Sequence, residues 1–109
     1  MKQPATYMLA SQKHGTLYIG VTSNLAERMT QHTSGKGSQF TSDYNVTRLV
    51  WVQFFDTMAE AIQKEKSLKR YPRQWKINLI ETHNPDWRAL SRKQASKYLS
   101  PHMDPRYKT

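Results

Sequence analysis

Hydrophobic and polar residues alternate in two short segments near the start of the chain. Residues 6–10 and 16–22 have the spacing of two β-strands joined by a glycine-containing turn. Three aliphatic residues of the second segment fall on one face: Leu17, Ile19 and Val21. Because side chains alternate across a strand, Tyr18 points away from that face, beside Gly20, which clears space. The pattern predicts a β-hairpin.

Residues 46–55 have a different pattern, with apolar side chains at both odd and even positions. Strict alternation places one group on the first face: Val46, Val50, Val52 and Phe54. It places the other group on the opposite face: Leu49, Trp51 and Phe55. A strand that is apolar on both faces is typical of the centre of a covered sheet, so we expect this strand to be central.

Helix-start signals divide the remaining chain. Asn24 with Glu27, and Thr57 with Glu60, have the spacing of capping boxes and predict helices over 25–33 and 58–70. Proline at position 72 predicts a third helix over about 72–82, and Asp86 is a candidate cap for another through Leu99. The glycine- and serine-rich stretch 34–45 is interpreted as a flexible loop.

The order β-β-α-β-α-α predicts an α+β fold that resembles an α/β sandwich, with a small three-stranded antiparallel sheet flanked by helices. A chain of 109 residues has room for one such domain. We assign that domain to residues 1–100. Residues 101–109, which contain two prolines, are interpreted as a loose tail.

Composition narrows the class of function. Seventeen Lys and Arg against eight Asp and Glu give a net charge of +9, which favours a polyanionic partner such as nucleic acid, although a charge that serves solubility remains open. The chain has no cysteine, which excludes disulfides, zinc–thiolate sites and a cysteine nucleophile. No apolar run approaches a membrane span, and the first residues do not resemble a signal peptide, so we expect a cytoplasmic protein with no membrane partner.

Two polar residues interrupt the apolar stripe of the first predicted helix. Leu25 and Met29 have core-facing spacing, and Arg28 and His32 lie on the same stripe. An arginine at the edge of a packed face needs an anion, either a protein carboxylate or a ligand phosphate. The alternative is that Arg28 extends along the surface and His32 faces solvent.

The second helix has a similar exception at Glu65. Its stripe is otherwise apolar: Met58, Ala61, Ile62 and Leu68. Around this carboxylate lies a run of candidate DNA-binding bases: Lys64, Lys66, Lys69, Arg70, Arg73 and Lys76. A lone carboxylate within a basic site that attracts phosphates suits Mg²⁺, which keeps most of its waters. An i, i+4 ion pair from Glu65 to Lys69 is the structural alternative.

The tyrosines complete a recognisable set. Ala5-Thr6-Tyr7, ten residues, and then Tyr18-Ile19-Gly20 resemble the paired-tyrosine signature of the GIY-YIG nuclease superfamily, in particular its small stand-alone bacterial members. Arg28, His32 and Glu65 follow in the same order and spacing. In the first triplet Ala5 and Thr6 depart from the signature, and the tyrosine alone is retained.

The resemblance implies a metal-dependent endonuclease acting on DNA, with Glu65 as the ligand of Mg²⁺ or Mn²⁺. Tyr18 would act as general base or orient the attacking water, and Tyr7 would hydrogen-bond the scissile phosphate or the water. Arg28 would bind that phosphate, and His32 would assist the water or Tyr18. The pathway remains open between repair, recombination, restriction and mobile-element roles. The alternative is a basic nucleic-acid-binding module, or an accessory subunit, with a weak or lost nuclease site.

Overall fold

The computed structural model describes residues 3–34, 41 and 43–90. In that part of the chain three strands and three helices are assigned: β1 Ala5–Ala10, β2 Leu17–Thr22, α1 Leu25–Thr33, β3 Arg48–Phe54, α2 Met58–Arg70 and α3 Arg73–His83. The three strands form one antiparallel sheet. The predicted α+β class and the element order are confirmed.

The strand order in the sheet is β2-β1-β3, so β1 is central. The prediction that β3 is the central strand is wrong. Both faces of β3 are nevertheless covered. At its outer edge the backbone N–H of Leu90 donates a hydrogen bond to the carbonyl of Leu49 at 2.8 Å. An edge strand covered in this way has the same apolar pattern as a central one, because burial and not position in the sheet determines the pattern.

A β-bulge interrupts the pairing of β1 with β3. Met8 pairs with Trp51 while Leu9 pairs with Leu49, so Val50 is the additional residue. Val50 therefore packs in the same cluster as Trp51, and Leu49 packs with Val52. This reverses the faces that strict alternation predicted for Leu49 and Val50, because a bulge inserts one residue into the two-residue period.

The sheet separates two hydrophobic clusters. One includes residues from the sheet and from both later helices: Met8, Ala10, Ile19, Val50, Trp51, Leu68, Ile80 and Trp87. The other occupies the opposite face, where Leu25 and Met29 of α1 pack against it: Ala5, Tyr7, Leu9, Val46, Leu49 and Val52. The second cluster contains a tyrosine and adjoins the candidate site.

Both predicted N-cap residues accept the hydrogen bond expected of them. The Asn24 side chain accepts from the N–H of Glu27, and the Thr57 hydroxyl accepts from the N–H of Glu60, each at 3.2 Å. On α2, however, Ala61 and Leu68 are buried, whereas two residues assigned to the core stripe are exposed: Met58 and Ile62. The helix presents a narrower face to the sheet than its apolar spacing predicted.

The segment after α3 differs from the prediction of a helix beginning at Asp86. Residues 86–90 are not helical. Asn84 is buried, and its side-chain amide donates to the carbonyls of Val50 and Arg88 while its side-chain oxygen accepts from the N–H of Arg88. These bonds hold the segment against β3. The rest of that predicted helix and the tail 101–109 lie outside the described residues. Among the helices described, none has the length and apolar character needed to cross a membrane.

Candidate active site

The hairpin places both signature tyrosines on one face of the sheet. Tyr7 of β1 pairs with Gly20 of β2, and Tyr18 pairs with Leu9. Directly paired residues share a face, and so do residues two apart on one strand, so the two tyrosines lie on the same side. Their ring centroids are 6.4 Å apart with a 42° angle between the planes.

Gly20 allows this arrangement. A Cβ atom at this position would collide with the hydroxyl and ring carbons of Tyr7. The sequence predicted that Gly20 clears space beside Tyr18, whereas the space is occupied by the tyrosine on the neighbouring strand. Periodicity along one strand could not show this, because the contact is set by the pairing register.

Helix α1 adds a histidine to the tyrosine pair. His32 is 2% exposed, and its Nε2 lies 3.0 Å from the hydroxyl of Tyr7. Its ring centroid is 5.5 Å from that of Tyr18 and 5.9 Å from that of Tyr7, both edge to face. The alternative in which His32 faces solvent is therefore wrong. Leu25 and Met29 dock the helix and bring His32 over the sheet.

Thr41 is a further member of this group that the sequence did not indicate. Its hydroxyl oxygen lies 3.1 Å from the Nδ1 of His32, and the residue is 1% exposed. The carbonyl of Thr41 accepts from the N–H of Val46 at 2.9 Å, which ties it to the chain entering β3. Thr41 belongs to the stretch interpreted as a flexible loop, whose residues 35–40 and 42 lie outside the described residues. A polar residue in a serine- and glycine-rich stretch carries no signal of burial.

Burial and charge set the protonation states of this group. Burial raises the pKa of Tyr7 well above its usual value; the neighbouring Tyr18 raises it too, Arg28 lowers it, and the charge of Glu65 raises it slightly. Burial lowers the pKa of His32, and the positive charge of Arg28 lowers it further. At neutral pH Tyr7 is therefore a phenol and His32 a neutral imidazole. Arg28 and Glu65 both lie close enough to Tyr7 to act on it.

Glu65 lies on α2 with its side chain 18% exposed. The Nζ of Lys69 is 3.5 Å from its Oε2, so the ion pair that the sequence left open is present. The Lys69 side chain is 57% exposed, so solvent reaches it. No group of three or more metal-binding side chains occurs among the described residues. One carboxylate is nevertheless sufficient for Mg²⁺ when water and a substrate phosphate supply the remaining ligands.

A groove of about 320 Å³ runs along the free edge of β2. Tyr18 lines it together with Lys69 and Lys76, between Leu17 and Ile19. Arg73 is instead bound to the hairpin, because its guanidinium donates to the carbonyls of His14 and Gly15 at 2.7 Å. The other three bases of the predicted set lie on α2, where Lys64 is half-buried and two are exposed: Lys66 and Arg70.

Comparison with known proteins relates this chain to a family. Residues 3–78 match the GIY-YIG catalytic domain. A UPF0213 protein of Staphylococcus saprophyticus is 35% identical over 68 residues, which cover 62% of this chain and 83% of that protein. A UPF0213 protein of Streptococcus agalactiae is 31% identical over 83 residues, covering 76% and 94%. The solution NMR structure of a UPF0213 protein from Bacillus halodurans has a TM-score of 0.49 and 30% identity, covering 75% of this chain and 86% of that one.

The matched region contains all three strands and helices α1 and α2, and it ends within α3. It therefore includes every residue of the tyrosine, histidine, arginine and glutamate set. Together, the match over most of the chain and the ordered site residues show that this protein belongs to the GIY-YIG family, a superfamily of nuclease-like domains.

Proposed function

We propose that this protein is an endonuclease that hydrolyses DNA phosphodiester bonds with the help of Mg²⁺ or Mn²⁺. The observation that carries the proposal is the convergence of a tyrosine pair and a buried histidine with the charges of Arg28 and Glu65. A structural role alone does not require a carboxylate and an arginine within electrostatic range of the same buried tyrosine.

The groove beside Tyr18 is the proposed path of the DNA strand. Lys69 and Lys76 line it, and lysine side chains bind backbone phosphates without reading sequence. The remaining predicted bases would widen this positive surface: Lys64, Lys66, Arg70 and Arg73. Arg73 would attract DNA mainly by its positive charge and not by direct contact, since its guanidinium is bound to the hairpin carbonyls.

Glu65 is the residue that would hold the metal ion. The bound ion would neutralise charge on the phosphate and lower the pKa of a coordinated water. Release of Lys69 from Glu65 would free the carboxylate and, at the same time, free a lysine for phosphate at the groove. The residues present therefore fit a single divalent cation.

Tyr18, Arg28 and Tyr7 would each have a separate part in the reaction. Tyr18 is half-buried at the groove, where it would orient the attacking water or take its proton. Arg28 would clamp the phosphate with the planar, bidentate geometry that lysine lacks. Tyr7 has no exposed surface and is bonded to His32, so we assign it to holding His32 beside Tyr18 rather than to contact with the phosphate.

The test is cleavage of supercoiled plasmid by the purified protein with Mg²⁺ and with chelator. Glu65→Gln should keep the fold and abolish cleavage, because it removes the charge that would bind the ion and nearly keeps the shape. Glu60→Gln is the matched control on the same helix, since glutamine also completes a capping box with Thr57. It should cleave as the wild type does.

Two results would contradict the proposal. A Glu65→Gln protein that cleaves at the wild-type rate would remove Glu65 as the metal ligand. A wild-type protein that binds DNA but cleaves neither plasmid nor oligonucleotides in Mg²⁺ or Mn²⁺ would favour the binding-module alternative.

A further inference from the structure

The hydrogen bonds around His32 determine which of its ring nitrogens carries the proton. The hydroxyl hydrogen of Tyr7 needs an acceptor, since this side chain is completely buried. Among the described residues the acceptor within hydrogen-bond distance is the Nε2 of His32, at 3.0 Å.

If Nε2 accepts, the single proton of the neutral imidazole is on Nδ1. That N–H points to the hydroxyl oxygen of Thr41 at 3.1 Å. The three residues thus form a buried chain in which Tyr7 donates to His32 and His32 donates to Thr41. The reverse chain would leave the hydroxyl hydrogen of Tyr7 without an acceptor in a site closed to water.

We propose that Thr41 is a positioning residue that holds His32 in its Nδ1–H tautomer, so that Nε2 presents a lone pair to the tyrosine pair. This inference rests on the proposed nuclease function of the same site. A lone pair at Nε2 can accept a proton from the side where the tyrosines lie, whereas an N–H there cannot. The role parallels that of a hydrogen-bond acceptor behind a catalytic histidine in other hydrolases, with a hydroxyl in place of a carboxylate.

Two substitutions separate the hydroxyl of Thr41 from its packing. Thr41→Val keeps the branched shape and removes the acceptor, while Thr41→Ser keeps the hydroxyl. Thr33→Val, on an exposed residue of α1 next to His32, is the matched control. Each protein is labelled with ¹⁵N-histidine, and the imidazole nitrogen shifts of His32 are recorded at pH 7.5 without DNA or metal.

In the wild type, in Thr41→Ser and in Thr33→Val, we expect a protonated Nδ1 and an unprotonated Nε2. In Thr41→Val either tautomer would leave one buried donor without a partner, the N–H on Nδ1 or the hydroxyl of Tyr7, so the preference for Nδ1–H should be lost and a share of the protons should appear on Nε2. Single-turnover cleavage at saturating DNA should then fall about tenfold or more, which is less than the roughly 10²- to 10⁴-fold cost of losing a proton acceptor outright, because only part of the protein changes tautomer. DNA affinity should change less than about twofold, because Thr41 is covered.

A wild-type His32 protonated at Nε2 would overturn the proposal without any variant, even if Thr41→Val does not fold. So would a Thr41→Val protein that keeps the Nδ1–H tautomer, or one that cleaves at the wild-type rate. Loss of cleavage that Thr41→Ser does not rescue would also overturn it. If the wild type cleaves no DNA, the nuclease proposal fails, while the nitrogen shifts still decide the hydrogen-bond assignment.

Discussion

Tyr7 and Tyr18 have the same side chain and different surroundings, and this difference is the basis of the separate roles we propose for them. Tyr7 is fully buried, with its hydroxyl on His32, while Tyr18 reaches a groove open to solvent. Burial keeps Tyr7 in its neutral phenol form, which suits the proposed role of holding His32 in place. Tyr18 is the tyrosine that a water molecule and a phosphate can reach.

The hydroxyl of Tyr18 can be tested by Tyr18→Phe. The variant should lose roughly 10²- to 10⁴-fold in single-turnover cleavage, the range for general acid–base assistance, with little change in DNA affinity. Tyr44→Phe removes a hydroxyl from a tyrosine that is 59% exposed and should cleave normally. If Tyr18→Phe binds DNA more weakly and cuts at the normal rate when saturated, Tyr18 serves binding.

The buried imidazole of His32 predicts a loss of stability in acid. Burial and Arg28 lower the pKa of His32 in the folded state below its ordinary value of 6.5. The folded protein therefore binds this proton less tightly than the unfolded chain, and the stability that the neutral ring contributes is present above pH 6.5 and lost as the pH falls through the lowered pKa.

The free energy of unfolding, measured by urea denaturation between pH 7.5 and 5, should fall more steeply for the wild type than for His32→Gln. Equal slopes for the wild type and His32→Gln would mean that His32 titrates normally in the folded protein.

At the scale of secondary-structure elements, the site depends on two helices docked on opposite faces of the sheet. α1 brings Arg28 and His32 to the Tyr7 face, and α2 carries Glu65. A buried hydrogen bond from the Thr6 hydroxyl to the carbonyl of Ala61, at 2.6 Å, joins α2 to the central strand. Thr6 is one of the two positions where the first signature triplet departs from the family. Its hydroxyl makes this bond one helical turn before Glu65.

Thr6→Val keeps the side-chain volume and removes this hydroxyl. We expect the free energy of unfolding to fall by about 1 kcal/mol, the usual net contribution of one hydrogen bond, because the carbonyl loses one of its partners. Thr30→Val removes an exposed hydroxyl that donates to the carbonyl of Ala26, and it should cost less. Urea denaturation measures both. A Thr6→Val protein as stable as the wild type would show that this bond does not contribute to the docking of α2.

At the scale of the whole molecule, the net charge of +9 determines how the protein approaches a polyanion. The bases are distributed unequally around the site. Lys69 and Lys76 line the groove beside Tyr18, while Arg73 is bound to the hairpin. Affinity should therefore depend on salt, with a large share of the dependence coming from the groove.

Each phosphate contact contributes about −0.9 to the slope of log affinity against log salt concentration on duplex DNA. Four to six contacts predict a slope of roughly −4 to −5. The measurement uses Glu65→Gln protein in chelator, so that no DNA is cut. Adding Lys69→Gln and Lys76→Gln should make the slope less negative by about 2. A slope near zero would mean that the positive charge is not a DNA-binding surface.

Much of this protein could be predicted from local sequence. The N-cap residues Asn24 and Thr57 mark the starts of α1 and α2 because a cap is a contact between residues three apart. Alternation placed Tyr18 and Gly20 on one face of β2, since strand periodicity is set by the backbone. The order of tyrosines, arginine, histidine and glutamate was sufficient to identify the family.

Tertiary structure decided what depends on contacts between distant segments. Strand order made β1 central, and the bulge at Val50 exchanged two predicted faces, because neither pairing nor a bulge has a local signature in an apolar strand. Two other contacts also depend on the packing of distant segments. Tyr7 fills the space beside Gly20, and Thr41 is buried against His32. Sequence alone determined which chemical groups are available, whereas the pairing of strands and the docking of α1 determined which group touches which, because those distances arise only when separated segments pack together.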